Sequence, residues 1–173
     1  LTGVRRLAPG DASWLLVCWL LGAGWYGLRV VEDWRGARRL RAGGNRVRDE
    51  ALTWECRALC RQLGIRRPPA LLVAEDFSCP VLVGVMRPAV VLPVAFLERF
   101  TSAQLRLMLA HELAHLQRRD LLWSWLPNLG RVLFFFHPLV WLAEGEWRLA
   151  QEMACDESVL LATGASPAGY GAM

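Results

Sequence analysis

The first long block of the chain, from Ala12 to Leu28, carries no charged side chain and includes Trp14, Trp19, Trp25 and Tyr26. With Val30 and Val31 just beyond Arg29, it reaches the ~20 apolar residues that cross a bilayer as a helix. A core helix or a leader segment shares part of this pattern. Arg5 and Arg6 would suit a leader, but Gly22-Ala23-Gly24 is a weak cleavage site, and a membrane helix is the expectation. From Asp49 to Leu63 the pattern becomes that of an amphipathic helix, closed by Gly64 and the breaker Arg67-Pro68-Pro69.

Three short apolar runs follow: residues 70–73, 81–85 and 89–92. Turn-like Glu75-Asp76-Phe77-Ser78 and Met86-Arg87-Pro88 separate them. They predict a small antiparallel sheet. An exposed edge strand there could bind a peptide as an added strand, or the strands could only cover a helix layer. Thr101-Ser102-Ala103-Gln104 has the form of a capping box and opens a run of strong helix formers, Leu105 to Ala110. Leu107, Ala110, Leu113 and Ala114 give that helix an apolar flank, and Arg118-Arg119-Asp120 marks its polar exit.

A second apolar stretch, Leu121 to Ala143, is long enough to span a bilayer but contains Pro127, Asn128, Arg131, His137 and Pro138. These predict two helices that pack on the core or lie partly in the membrane interface, doubling back rather than crossing. His137, followed by Pro138, reads as a turn or interface residue. The resulting division is a short extracytoplasmic segment (1–11), a transmembrane helix (12–31), a basic juxtamembrane linker (32–48) and a catalytic domain (49–173). If this is part of a receptor-type protein, further spans are expected before it and another after it.

Composition agrees with a membrane setting. Hydrophobic residues make up 54% of the chain and the mean hydropathy is +0.26, more than a soluble domain of 173 residues needs. Arg29, Arg35, Arg38, Arg39, Arg41, Arg46 and Arg48 follow the apolar helix, against Arg5 and Arg6 before it, which predicts a cytoplasmic C-terminal side. The net charge of +4 is therefore assigned to anionic lipid headgroups rather than to direct nucleic-acid binding. An odd set of five cysteines without paired spacing fits reduced thiols, with Cys56 and Cys60 as packing residues.

Only three histidines occur, and two of them stand in His111-Glu112-Leu113-Ala114-His115. Four residues apart on a helix, both imidazoles share a face and can bind one tetrahedral zinc ion. Glu112 then borders the open side as general base for a water that the metal acidifies from about 15.7 toward about 7. The third ligand is open at this stage. Glu152 and Asp156 share a helical face, so Glu152 could ligate while Asp156 accepts the free N–H of a ligand histidine. Cys155 is a rival ligand that points away from that face. Tyr170, His137, an arginine or a residue outside this stretch could stabilise the oxyanion.

These residues carry a family resemblance. Cys79-Pro80, Gly84 to Pro93, His111 to Leu122, Phe135-Phe136-His137-Pro138-Leu139-Val140-Trp141 and Glu152 to Glu157 resemble, in order and spacing, peptidase family M56. That family comprises the zinc metalloprotease domains of bacterial β-lactam sensor-transducers of the BlaR/MecR type. The resemblance implies His111, His115 and Glu152 as zinc ligands, Glu112 as catalytic base and Asp156 in support. Trp147-Arg148-Leu149-Ala150-Gln151 is less charged than the family's usual run before the third ligand. The expected fold is a helix-rich α+β gluzincin-like domain with one N-terminal membrane helix. The expected function is zinc endopeptidase activity at the cytoplasmic face of the bacterial inner membrane, on a protein such as a transcriptional repressor or on the protein itself. The other readings are an M48-type quality-control protease, which shares the zinc motif and a downstream Glu-x-x-x-Asp helix, and a signalling scaffold in which zinc only stabilises the fold.

Overall fold

The computed structural model describes residues 9–75 and 77–164, with side chains from Ser13 onward. Tyr170 and most of the 1–11 segment lie outside the described residues. The chain runs α1 (Pro9–Gly43), β1 (Asn45–Arg46), α2 (Glu50–Gln62), β2 (Ala70–Ala74), β3 (Val81–Val83), β4 (Ala89–Pro93), α3 (Val94–Arg99), α4 (Ser102–Arg118), α5 (Asp120–Trp123), α6 (Trp125–Phe134) and α7 (Pro138–Thr163).

The helix boundaries follow local chemistry. Asp49 caps α2 by accepting from the backbone N–H groups of Ala51 and Leu52, and Gly64, at φ +70°, lets the chain leave it. Thr101 and Gln104 form the reciprocal capping box at the start of α4. His137 caps α7, its Nδ1 accepting from the Leu139 N–H, and Pro138 occupies the first turn, where its missing N–H costs nothing. Arg119 is the one non-glycine residue at positive φ (60°) among the described residues. This left-handed turn, which costs on the order of 1 kcal/mol, swings the chain from α4 into α5 and returns Asp120 toward the end of α4.

The sheet has strand order β1-β2-β4-β3 and is mixed, which corrects the expected antiparallel arrangement. β3 and β4 form the antiparallel hairpin, but β2 and β4 run parallel, with Ala70 opposite Ala89 through Ala74 opposite Pro93. The physical reason lies in β4. All five of its residues are buried, so it belongs inside the sheet, between β2 and the shorter β3, which takes the edge. A fourth strand, β1, comes from the basic segment and pairs antiparallel with β2.

The main core lies where α2, β4, α4 and α7 meet, with Leu59, Leu92, Leu109, Leu113 and Val159 fully buried. The four buried apolar residues of the sheet's other face, Leu72, Val83, Ala89 and Val91, receive Ala37 and Leu40 of α1. The helix that begins as an apolar rod therefore continues through residues 32–43 and docks on the sheet. Residues 121–143 form no single long helix. They are divided among α5, α6 and the start of α7, and α6 packs beside α1.

Candidate metal centre

Helix α4 sets the two imidazoles one turn apart. Leu105, Leu109, Ala110, Leu113 and Ala114 bury its opposite flank, so His111 and His115 are held toward α7. Their rings meet edge to face with centroids 4.9 Å apart, and their Nε2 atoms lie 3.2 Å from each other. From α7, Glu152 brings Oε2 to 3.3 Å from His111 Nε2 and Oε1 to 3.8 Å from His115 Nε2. These three residues form a group able to hold a metal ion. Bonds of about 2.0–2.1 Å in a tetrahedron separate neighbouring donors by about 3.3 Å, so two imidazoles and a carboxylate at these spacings fit zinc. The Glu152 side chain is 57% exposed, which leaves the outer side of the group open to solvent.

The other nitrogens of the two rings are also engaged. His111 Nδ1 lies 3.2 Å from Asp156 Oδ1, and His115 Nδ1 lies 2.9 Å from Asp120 Oδ2. A carboxylate accepting an Nδ1–H fixes the tautomer whose Nε2 lone pair faces the shared point. Asp120 is 7% exposed and is further contacted by Arg118 Nε at 3.4 Å and Cys155 Sγ at 3.5 Å. Its role was missed in the sequence, where it reads as the polar end of α4. The only signal there is an acid standing directly before the apolar run from Leu121.

Cys155 is fully buried with Sγ 3.2 Å from His115 Nδ1, on the ring edge away from Glu152. Burial first, then the neighbouring Asp120 carboxylate, push its thiol up to about 12. Cys155 stands on the Nδ1 side of His115 together with Asp120, a second close group that uses the other ring nitrogen and is separate from the Nε2 donor set. His137 stands at the far end of α7 as a cap and is not part of the group.

Glu112 projects between the centre and the sheet, where it accepts from the backbone N–H of Leu82 on edge strand β3. Burial raises its pKa above the ordinary glutamate value, opposed by the two histidines and that N–H. A carboxyl so lifted, beside the metal-binding group, is suited to taking and returning a proton. A cleft runs from His115 along Leu82, Gly84 and Val85, bounded by Leu116 and Leu121.

Comparison with known proteins identifies the family. The family model described as BlaR1 peptidase M56 matches residues 5–172, and the chain belongs to that metallopeptidase family. The "Regulatory protein BlaR1" of Bacillus licheniformis is 35% identical over 81 residues, covering 47% of this chain and 13% of that protein. The "Methicillin resistance mecR1 protein" of Staphylococcus aureus and that of Staphylococcus epidermidis are each 26% identical over 87 residues, covering 50% of this chain and 15% of theirs. The matched stretch thus spans only 13% to 15% of the length of these relatives.

Proposed function

We propose that this chain is the zinc endopeptidase part of a membrane-anchored M56 protein, and that it cleaves a protein on the cytoplasmic side as a step in induced antibiotic-resistance or other repressor-linked signalling. The observation that carries this reading is the convergence of His111 Nε2, His115 Nε2 and the Glu152 carboxylate within 3.2–3.8 Å, with Glu112 alongside. In a gluzincin-type site these three hold the zinc, which supplies Lewis acidity and lowers the pKa of a water from about 15.7 toward about 7.

The residues of the chain do the remaining work. Glu112 accepts the proton of the attacking water and returns it to the leaving amine, so that water adds across one peptide bond and two chain ends result. Asp120 and Asp156 hold the two imidazoles by their Nδ1 atoms and keep the ligand atoms in register. Strand β3, at the sheet edge beside Glu112, offers a backbone against which an extended substrate segment can lie.

The membrane part of the reading rests on α1, whose residues from Ser13 form a helix long and apolar enough to cross a bilayer, with none of its apolar window buried. The seven arginines from Arg29 to Arg48 favour the cytoplasmic side for everything that follows. On this reading residues 12–31 span, 32–48 lie at the headgroups and 49–173 form the peptidase domain. The names of the relatives, one regulatory and one tied to methicillin resistance, support a signalling role. The test is metal content. The purified protein should hold about one zinc per chain, and Glu152→Ala should lose most of it. Full zinc occupancy in that variant would remove Glu152 from the site.

A further inference from the structure

Resting on the reading that α1 spans a bilayer, we propose that α6 and the first half of α7 form a re-entrant hairpin that enters the same leaflet, reaches about mid-membrane and returns, in direct contact with lipid acyl chains. Three independent features carry this inference.

The first is depth. Helix α6 runs antiparallel to α1: its start lies near Trp34 and Ala37, Arg131 sits over the Tyr26 ring, and the Leu133 carbonyl accepts from Trp19 Nε1 at 2.9 Å. The tip residue Phe135 stacks on Tyr26 and fills the space beside Gly22, which has no room for a Cβ. At 1.5 Å per residue, Gly22 lies about 15 Å from Glu32, the first acidic residue after the apolar stretch of α1, and Phe135 lies about 15 Å from the start of α6 at Trp125. Pro138 lies about 15 Å from Arg148 on α7. All three helices thus place the tip at half of a hydrocarbon layer about 30 Å thick.

The second is the backbone at the tip. A helix end leaves unpaired carbonyls, which hydrocarbon does not tolerate. Here Trp19 serves Leu133 O, the His137 N–H serves Phe134 O at 2.8 Å, and Trp141 Nε1 serves Phe135 O at 2.9 Å. The Leu139 N–H is taken by His137 Nδ1 and the Val140 N–H by the His137 carbonyl. A hairpin tip in water has no need of two tryptophan side chains for this purpose.

The third is the outer surface. Leu126, Leu129, Phe134, Phe136, Leu139 and Leu142 are more than half exposed, continuous with the exposed apolar face of α1. The ionic groups of the hairpin nearest the tip, Arg131 and Glu144, are turned inward, whereas Glu146 is exposed about 12 Å along α7 from Pro138, near the headgroups. Arg131 pairs with buried Glu144 at 2.8 Å and lies over the rings of Tyr26 and Trp141, and Arg148 joins Glu144 from the headgroup end. Glu152, about 21 Å along α7 from Pro138, then stands about 6 Å beyond the hydrocarbon. The metal centre is held at the membrane surface, where it would meet membrane-proximal substrate segments.

The test uses the full-length protein in phosphatidylcholine vesicles, with Cys18→Ala and Cys79→Ser removing the two exposed thiols. A bimane label is placed through Phe136→Cys, Leu139→Cys or, as a control on α1 at equal depth, Leu21→Cys. Labels at Phe136 and Leu139 should match the Leu21 label, with quenching by a 12-doxyl lipid at least about twofold stronger than by a 5-doxyl lipid, and with little quenching by iodide. Lipid quenching at Leu21 with iodide quenching at the hairpin overturns the inference and leaves the spanning helix standing. Shielding of the hairpin from both quenchers shows a protein cover, such as a second copy, and also overturns it. Failure of lipid quenching at Leu21 itself overturns the membrane reading.

Discussion

Replacing Asp120 with Asn keeps the size of the side chain and removes its charge at the point where His115 is held. The carboxylate is 2.9 Å from His115 Nδ1, and its side chain is 9% exposed, so water cannot take its place. Without the charge the preference for the Nδ1–H tautomer weakens, and part of the protein presents a protonated Nε2 that cannot bind a metal. Loss of such a partner costs about 10- to 100-fold in metal affinity, or about 1.4–2.7 kcal/mol. Asp156 supplies an internal comparison. It supports His111 at 3.2 Å but its side chain is 46% exposed, so water replaces much of what Asp156→Asn removes, and its effect should fall at or below the lower end of that range. Competition for zinc against a chromophoric chelator, at fixed pH and with folding checked by circular dichroism, measures both. An unchanged zinc affinity in Asp120→Asn, or a larger loss in Asp156→Asn, would refute the reasoning that burial makes Asp120 the stronger support.

Three further outcomes follow from the same geometry. Cys155→Ala should keep about one zinc per chain, because the thiol faces the Nδ1 side of His115, away from the Nε2 donors; loss of the metal would make Cys155 a ligand. The base form of Glu112 is required and burial raises its pKa, so kcat/KM should fall as pH drops through a value above the ordinary glutamate pKa of about 4.3, in a profile taken at saturating zinc. An acid limb at or below that ordinary value would contradict the burial argument. A reporter fused after Arg48 should behave as a cytoplasmic one, and reversing the arginine charges should weaken that bias; an external reporter would overturn the orientation.

The parts of this structure that were legible in the sequence are those written in local spacing. His111 and His115 share a face because they are four apart, and so do Glu152 and Asp156. The capping residues Thr101 and Asp49 announce α4 and α2. The parts that were not legible depend on long-range pairing or on a single unusual dihedral. The parallel register of β2 with β4 follows from where β4 is buried in three dimensions, which three apolar runs of similar length do not reveal. The place of Asp120 under His115 depends on the left-handed turn at Arg119, and arginine gives no warning of positive φ. The docking of residues 32–43 on the sheet was hidden because a dense arginine run reads as a solvated linker, while Ala37 and Leu40 between them form the packing stripe.

The central claim is that a bound zinc and the Glu112 carboxylate act together on a peptide bond, and Glu112→Gln tests it most directly. The amide keeps the shape and leaves His111, His115 and Glu152 in place, so the variant should retain about one zinc per chain while cleavage of a protein substrate falls at least about a hundredfold. Undiminished cleavage by the zinc-loaded variant would contradict the account.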